Sequence, residues 1–176
     1  MPLKGRLDDL HGRRSSLALG YRVSDYRSFN LDAAVSSLSD GNLRKTLGTG
    51  WTERWYSGPV YKLDTTLALA ASHNDEMPDA RYFNPKSDVE VGLTTVHDWK
   101  LWGYYDDTLH QRLGLTVGRY AQQGYASGLV WSYFVEQEWQ WSHRGSVRYG
   151  FSRTRHPYDG AADFGNRAYI TLDWRF

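Results

Sequence analysis

The sequence predicts an all-β fold, an antiparallel up-and-down transmembrane β-barrel of about nine strands, and three observations carry that expectation. Apolar and polar residues alternate with a period of two over segments about 9 to 16 residues long, separated by clusters of Gly, Asn, Asp, Ser and Pro. Aromatic residues make up 15% of the chain, with 8 Trp and 13 Tyr, and 17 Gly stand beside only 5 Pro, a mixture that favours strands and tight turns over helices. Tryptophans also recur at one end of several strands, while the polar parity carries charges that need water.

The first strand runs from about Ser15 to Ser24, with Leu17, Leu19, Tyr21 and Val23 on one face and Arg22 on the other, because successive side chains point to opposite faces. The second sets Phe29, Leu31, Ala33 and Val35 against Asn30 and Asp32, and "SDGN" at Ser39–Asn42 supplies turn chemistry. In the third, near Leu43–Tyr56, Glu53 falls in the same parity as Leu47, Trp51 and Trp55. From Tyr61 to Ser72, Leu63, Leu67 and Leu69 alternate with Lys62, Asp64 and Thr66, and "HNDEMPDARYFNPKS" (His73–Ser87) is the longest interruption. The fifth strand sets Val89, Val91, Leu93 and Trp99 against Asp88, Glu90, Asp98 and Lys100, with Val96 and His97 breaking the pattern. The sixth, about Thr108–Ala121, places Leu109, Leu113, Leu115 and Val117 opposite His110, Arg112 and Thr116. In the seventh, Leu129, Trp131, Tyr133, Val135, Trp139 and Trp141 face away from Ser132, Glu136, Glu138 and Gln140. The eighth offers Val147, Tyr149 and Phe151 against Arg148 and Ser152. The last, "RAYITLDWRF", places Ala168, Ile170, Leu172, Trp174 and Phe176 on one side and Arg167, Tyr169, Thr171, Asp173 and Arg175 on the other.

Connections are expected to alternate in length: short at Tyr56–Pro59, Gly103–Asp107 and Ser142–Ser146, longer at His73–Ser87 and His156–Ala162. Trp51, Trp55, Trp99, Trp102, Trp139, Trp141, Trp174 and Phe176 all fall toward the short-turn end, where amphipathic rings suit the headgroup level of a membrane. A soluble sandwich or lipocalin-like barrel would also alternate, but would give these rings no reason to share a rim. Residues 15–176 are therefore expected to be barrel strands and residues 1–14 a loop or disordered start.

Composition narrows function. A formal charge of +1 removes the electrostatic case for nucleic acid as partner, and the absence of cysteine excludes disulfides and thiolate chemistry. No run approaches the roughly 18 to 20 apolar residues of a spanning helix, and "MPLKGRLDDLHGRRSS" does not read as a secretory signal. His11, His73, His97, His110, His143 and His156 show no close metal-ligand spacing, and no phosphate-cradling GxxxxGK[ST] occurs, so no metal or cofactor is expected. Glu136 and Glu138 share a face and could in principle serve as acid and base on a glycosidic bond, but any polar strand face produces that spacing.

With "SDGN", "RYFNPKSD", "YDG" and the terminal "LDWRF" in view, the chain resembles the C-terminal part of the poly-β-1,6-N-acetyl-D-glucosamine export porins of biofilm-forming Gram-negative bacteria, the PgaA family. The most specific stretch is Tyr82-Phe83-Asn84-Pro85-Lys86-Ser87-Asp88, and the resemblance runs from about Tyr21 to Phe176. It implies an outer-membrane location and a 16-stranded barrel, of which this chain would be an incomplete part, a fragment or truncated reading frame. It also implies conduction of a partly deacetylated, partly cationic polysaccharide, insertion into lipid, and recognition of Phe176 by the barrel-assembly machinery. Family pores are held to be electronegative, whereas parity here mixes acids with Arg22, Lys62, Lys100, Arg112, Arg148 and Arg175. The candidate polymer-binding residues of the lumen are Asp32, Asp64, Glu90, Asp98, Glu136, Glu138 and Asp173, which could contact ammonium groups, and Tyr169, which could stack on sugar rings. The alternative reading of the acids is pairing with arginines of neighbouring strands. The alternative for the whole is a small closed outer-membrane barrel with a structural or acylhydrolase role, for which His97 is the only mid-strand histidine of outward parity.

Overall fold

Each alternating segment becomes a strand, and each strand pairs with its neighbour in the chain. The computed structural model describes residues 11–75 and 82–175. Its elements are β1 (Gly12–Ser24), β2 (Arg27–Leu38), β3 (Leu43–Ser57), β4 (Tyr61–Asn74), β5 (Ser87–Tyr104), β6 (Asp107–Gln122), β7 (Gly128–Ser142), β8 (Gly145–Tyr158) and β9 (Ala161–Trp174). They form one nine-stranded sheet in sequence order, antiparallel throughout, with β1 and β9 as its edges. β1 begins ahead of the expected Ser15, so Gly12, Arg13 and Arg14 belong to the sheet, while residues 1–10 lie outside the described residues. Val96 and His97 do not interrupt β5; they keep the parity, Val96 on the polar face opposite Gly114 and His97 on the apolar face opposite Leu113.

One connection differs from expectation. β8 continues through Pro157 to Tyr158 and β9 starts at Ala161, leaving only Asp159 and Gly160 between them. Both take positive φ, 50° and 79°, the left-handed geometry that an Asp-Gly hairpin turn adopts readily. Pro157 read as a loop signal, yet its ring packs where a Cβ on Gly128 would sit, and so closes the rim of the sheet.

A second difference is systematic. β1, β3, β5 and β7 each carry a register shift just before the short turn, at Arg22/Ser24, Arg54/Tyr56, Lys100/Trp102 and Gln140/Ser142. Each inserts one residue (Val23, Trp55, Leu101, Trp141), which offsets simple alternation and increases local twist at that rim. The rows of paired residues are also oblique to the molecule. The row through Tyr21, near the end of β1, passes Phe29, Trp51, Leu67, Leu93, Val117 and Trp131 and ends at Phe164, near the start of β9. That progressive stagger is the shear a tilted-strand barrel wall requires.

Burial is inverted relative to a soluble sheet. The apolar parity stands exposed, with Leu17 60%, Leu172 67% and Ile170 76% accessible. On the other parity, the Glu136 and Glu138 side chains are 12% and 19% accessible. The polar face is concave: His156 Nε2 of β8 reaches Glu90 Oε2 of β5 at 3.0 Å. Strands about 4.8 Å apart put β5 and β8 about 14 Å apart along the sheet, a gap that side chains bridge only from the inside of a curve.

Candidate functional site

The concave face collects its ionisable groups in two belts. In the belt nearer the short turns, Arg54 of β3 grips Asp64 of β4 in a two-point contact at 2.6 and 2.8 Å. Arg112 of β6 is the hub of the next cluster, donating to Asp98 at 3.3 Å and Glu136 at 2.8 Å and lying 2.8 Å from Glu138. His110 Nδ1 contacts Asp98 at 2.8 Å, Arg148 lies 3.5 Å from Glu138, and Tyr169 donates to Glu136 at 2.5 Å. Five acids of the predicted set (Asp64, Glu90, Asp98, Glu136, Glu138) thus face a cationic or imidazole partner. Parity marks Arg112 and Arg148 as lumen charges, but the partnerships need cross-strand register, which parity does not contain. Asp32 folds over Gly48, and Asp173 lines a cleft with Glu138, Arg148 and Arg175; neither forms an ion pair among the described residues.

The second belt, at the other rim, is tied to a loop. Tyr82 donates to Asp40 at 2.6 Å, and Asn42 Nδ2 donates to Tyr82 Oη and Asn84 Oδ1, both at 2.9 Å. Asn74 Nδ2 donates to the Pro85 carbonyl at 2.6 Å, and Phe83 meets the Tyr158 ring edge-on at 4.9 Å. The tail of the β4–β5 connection therefore bridges the β2–β3 turn and β8 across one mouth of the curve. Burial, aided by the hydrogen bond to Asp40, holds the Tyr82 hydroxyl above the ordinary tyrosine pKa. The part of the "RYFNPKSD" stretch from Tyr82 to Pro85 gains a structural meaning: it supplies this clasp.

The convex face carries the aromatics and a charge asymmetry. Trp99 stacks on Tyr61 and His97, Trp139 meets Trp141 edge-on, and Trp141 lies 6.3 Å from Trp174, all at the short-turn rim. Trp55 and Trp102 are exposed at the same rim, Trp55 inside a bulge and Trp102 just beyond one. Trp51 sits farther up, mid-β3, between Phe29 and Leu67. Trp131 and Phe164, with centroids 6.2 Å apart, mark the opposite side, which sequence reading did not single out as a second aromatic level. Phe176 lies outside the described residues. Glu53, of apolar parity, is held by Arg27 at 2.7 Å on the same face, which reconciles its position in β3. On the loop side, outward parity brings Arg13, Lys45, Arg119, Arg153 and Arg155 to the border of the apolar band.

The model of the PgaA membrane β-barrel domain family matches residues 1–176, the whole chain. Among solved structures, a protein described as a "Bacterial polysaccharide outer membrane secretin" superposes with a TM-score of 0.88 over 95% of this chain. The identity is 23%, so the likeness is one of fold, and the chain spans 57% of that chain. No curated protein matches.

Proposed function

We propose that this chain, which belongs to the PgaA membrane β-barrel family, forms part of the wall of an outer-membrane porin through which poly-β-1,6-N-acetyl-D-glucosamine leaves the cell. The observation that carries the reading is the inverted sheet: apolar side chains such as Leu115 and Ile170 exposed on the convex side, charged ones such as Glu136 gathered on the concave side. Only a surround of lipid outside and water inside stabilises both faces at once. Nine strands stand to the sixteen of the proposed barrel nearly as this chain stands to the solved neighbour it spans by 57%.

The role is conduction and not catalysis. Glu136 and Glu138, the pair spaced for acid and base, are both held by Arg112 at 2.8 Å, a placement that serves the wall's ion-pair network. His97 Nδ1 bonds the Tyr61 hydroxyl at 2.7 Å and its ring stacks on Trp99, so among the described residues no serine–histidine pair of the acylhydrolase alternative forms there. Lipid contacts are assigned to the convex face, where the basic border suits phosphorylated headgroups of the outer leaflet. Contact with the assembly machinery is assigned to Phe176 on sequence grounds.

The test replaces the gene for the complete protein with one lacking the segment Gly12–Trp174 in cells that make the polymer. Surface polymer, read by immunoblot of intact cells, is expected to disappear while polymer accumulates inside the outer membrane. Undiminished surface polymer would refute the assignment.

A further inference from the structure

Seven successive strands place a hydroxyl at the same register position on the concave face. Thr52 of β3 pairs with Thr66 of β4, Thr66 with Thr94 of β5, Thr94 with Thr116 of β6 and Thr116 with Ser132 of β7. Ser28 extends the row into β2 and Thr154 extends it into β8. Two contacts link neighbours, Thr52 to Thr66 at 2.8 Å and Thr94 to Thr116 at 2.9 Å. In each linked pair one hydroxyl donates and the other keeps a free proton, and all retain acceptor capacity. Because paired rows are oblique, this one climbs from the short-turn end of β2 to the loop end of β8. It crosses the wall instead of encircling it.

Two independent features flank the row. On its loop side, Gly50, Ala68, Gly92 and Gly118 hold the neighbouring positions, and over Gly50 and Ala68 a depression opens whose lining includes Asn30, Thr66 and Ala70 together with Asp32, Asp88 and Arg44. On its other side, the Phe134 ring lies across Gly114, where an added Cβ would come 1.9 Å from the ring, and so presents a flat apolar face beside Thr116 and Ser132. At the loop end, Tyr120 is 5% accessible, packs on His156 at 4.4 Å, and has a hydroxyl with no hydrogen-bond partner among the described residues. A shallow trough, a ladder of neutral hydroxyls and an apolar ring together match one ligand chemistry: a pyranose with hydroxyl and amide edges and a C–H face.

Resting on the export reading above, we propose that this row is a track for the neutral, N-acetylated units of the polymer. Asp64, Glu90, Asp98, Glu136 and Glu138 are already matched by Arg54, His156, His110, Arg112 and Arg148, while Asp32 and Asp88 beside the depression form no ion pair among the described residues. Hydroxyls and Phe134 then grip the sugar, and the matched charges keep the lumen wet without holding ammonium groups.

The experiment measures block of single-channel current in the complete protein, reconstituted in planar bilayers, by two probes: a fully acetylated β-1,6-glucosamine hexamer and its fully deacetylated counterpart. Thr94→Val with Thr116→Val keeps shape and removes two hydroxyls. It is expected to weaken block by the acetylated hexamer about tenfold, the scale of two lost neutral hydrogen bonds, and to leave block by the deacetylated one unchanged. Thr94→Ser with Thr116→Ser should retain block, and Phe134→Ala should lose it for the acetylated probe. Heat-dependent gel mobility, compared with wild type, confirms that each variant is folded, and the serine pair carries the test if the valine pair is not. Equal block of wild type and a folded valine variant, loss of block in the serine variant, or a selective loss of the deacetylated probe would overturn the track while leaving export intact. Failure of the acetylated hexamer alone to block the wild type would overturn the track, and failure of both hexamers would overturn the track together with the export reading.

Discussion

Arg112→Met is the sharpest perturbation of the concave face, because it removes one cation from among three carboxylates while nearly conserving volume. Asp98, Glu136 and Glu138 lie within 2.8 to 3.3 Å of Arg112, and the Arg112 side chain is 28% accessible. Removing one partner of a buried pair costs about 3–5 kcal/mol, whereas exposed pairs are worth about 1 kcal/mol or less. Partners 12% to 20% accessible on a wall open to water fall between these limits, so a loss of about 2–3 kcal/mol is expected. Arg148, 3.5 Å from Glu138, limits the loss by remaining as a second cation. Urea unfolding of the complete barrel in lipid vesicles reads the stability, and the reversal potential in a salt gradient reads the charge. Selectivity should move toward cations, since three carboxylates would then share Arg148 and His110. Glu138→Gln added to Arg112→Met should restore part of the stability, because it removes an unpartnered charge. A midpoint within about 0.5 kcal/mol of wild type together with an unchanged reversal potential would show that the Arg112 cluster is solvated and energetically idle, and the reasoning would fail.

Three further outcomes follow from single residues. Leu115→Lys places a charge at mid-height on the convex face and should cost about 2–4 kcal/mol in bilayers, whereas Ser152→Lys on the concave face should cost little; equal costs would contradict the assignment of faces. Gly118→Ala would drive a Cβ to 2.4 Å from the Val91 carbonyl oxygen, backbone that cannot step aside, while a Cβ on Gly20 meets nothing within 4 Å. Folding yield should therefore fall for Gly118→Ala by about 1–3 kcal/mol in stability and stay level for Gly20→Ala. Tyr82 has a raised pKa in the folded protein, from burial first and the Asp40 hydrogen bond second. Its neutral form therefore holds the clasp below the ordinary tyrosine value of about 10, and that contribution is lost as pH rises through the folded value. Protease cleavage within the β4–β5 connection should rise steeply above about pH 10 in wild type. Tyr82→Phe should be cut more readily at neutral pH and show no such step; a pH-independent wild type would refute the clasp.

What the sequence made legible is what depends on one strand at a time. Parity alone placed Leu17, Leu67, Leu115 and Ile170 outside and Asp64, Arg112 and Glu136 inside, and the strand count of nine came from the turns. It went astray wherever a second strand decides the outcome. The tryptophans Trp55 and Trp141 look like plain alternating residues until the ladder shows that each is the extra residue of a bulge. The acids kept two readings, polymer contact or pairing with neighbouring arginines, because a strand read alone does not reveal that Glu136 lies opposite Arg112, or that Glu90 reaches His156 three strands away. Asp159-Gly160 carried a hairpin signal that Pro157 obscured, since a proline near a strand end can pack at the rim without breaking the pairing. The hydroxyl row had a weaker signal, a Thr or Ser on each polar face at a height that shifts from strand to strand, but only the register of seven strands shows that they form one line.

That line bears on how a wall with so many charges could pass a long polymer. Export requires contacts that are numerous and individually weak, because a strong site holds what it binds. An unmatched carboxylate inside a narrow, poorly solvated lumen would be such a site for an ammonium group. Here Arg54, Arg112 and Arg148 occupy the carboxylates of the short-turn belt, and His156 occupies Glu90 at the other. The potential is thereby flattened along those belts, while Asp32 and Asp173 form no ion pair among the described residues. What then varies along the oblique path is hydrogen-bonding and stacking, repeated about every 4.8 Å from strand to strand. A hexose can leave one hydroxyl pair as it meets the next. On the proposed export reading, the same regular register that builds the sheet would supply evenly spaced resting points, none deep enough to stop the polymer.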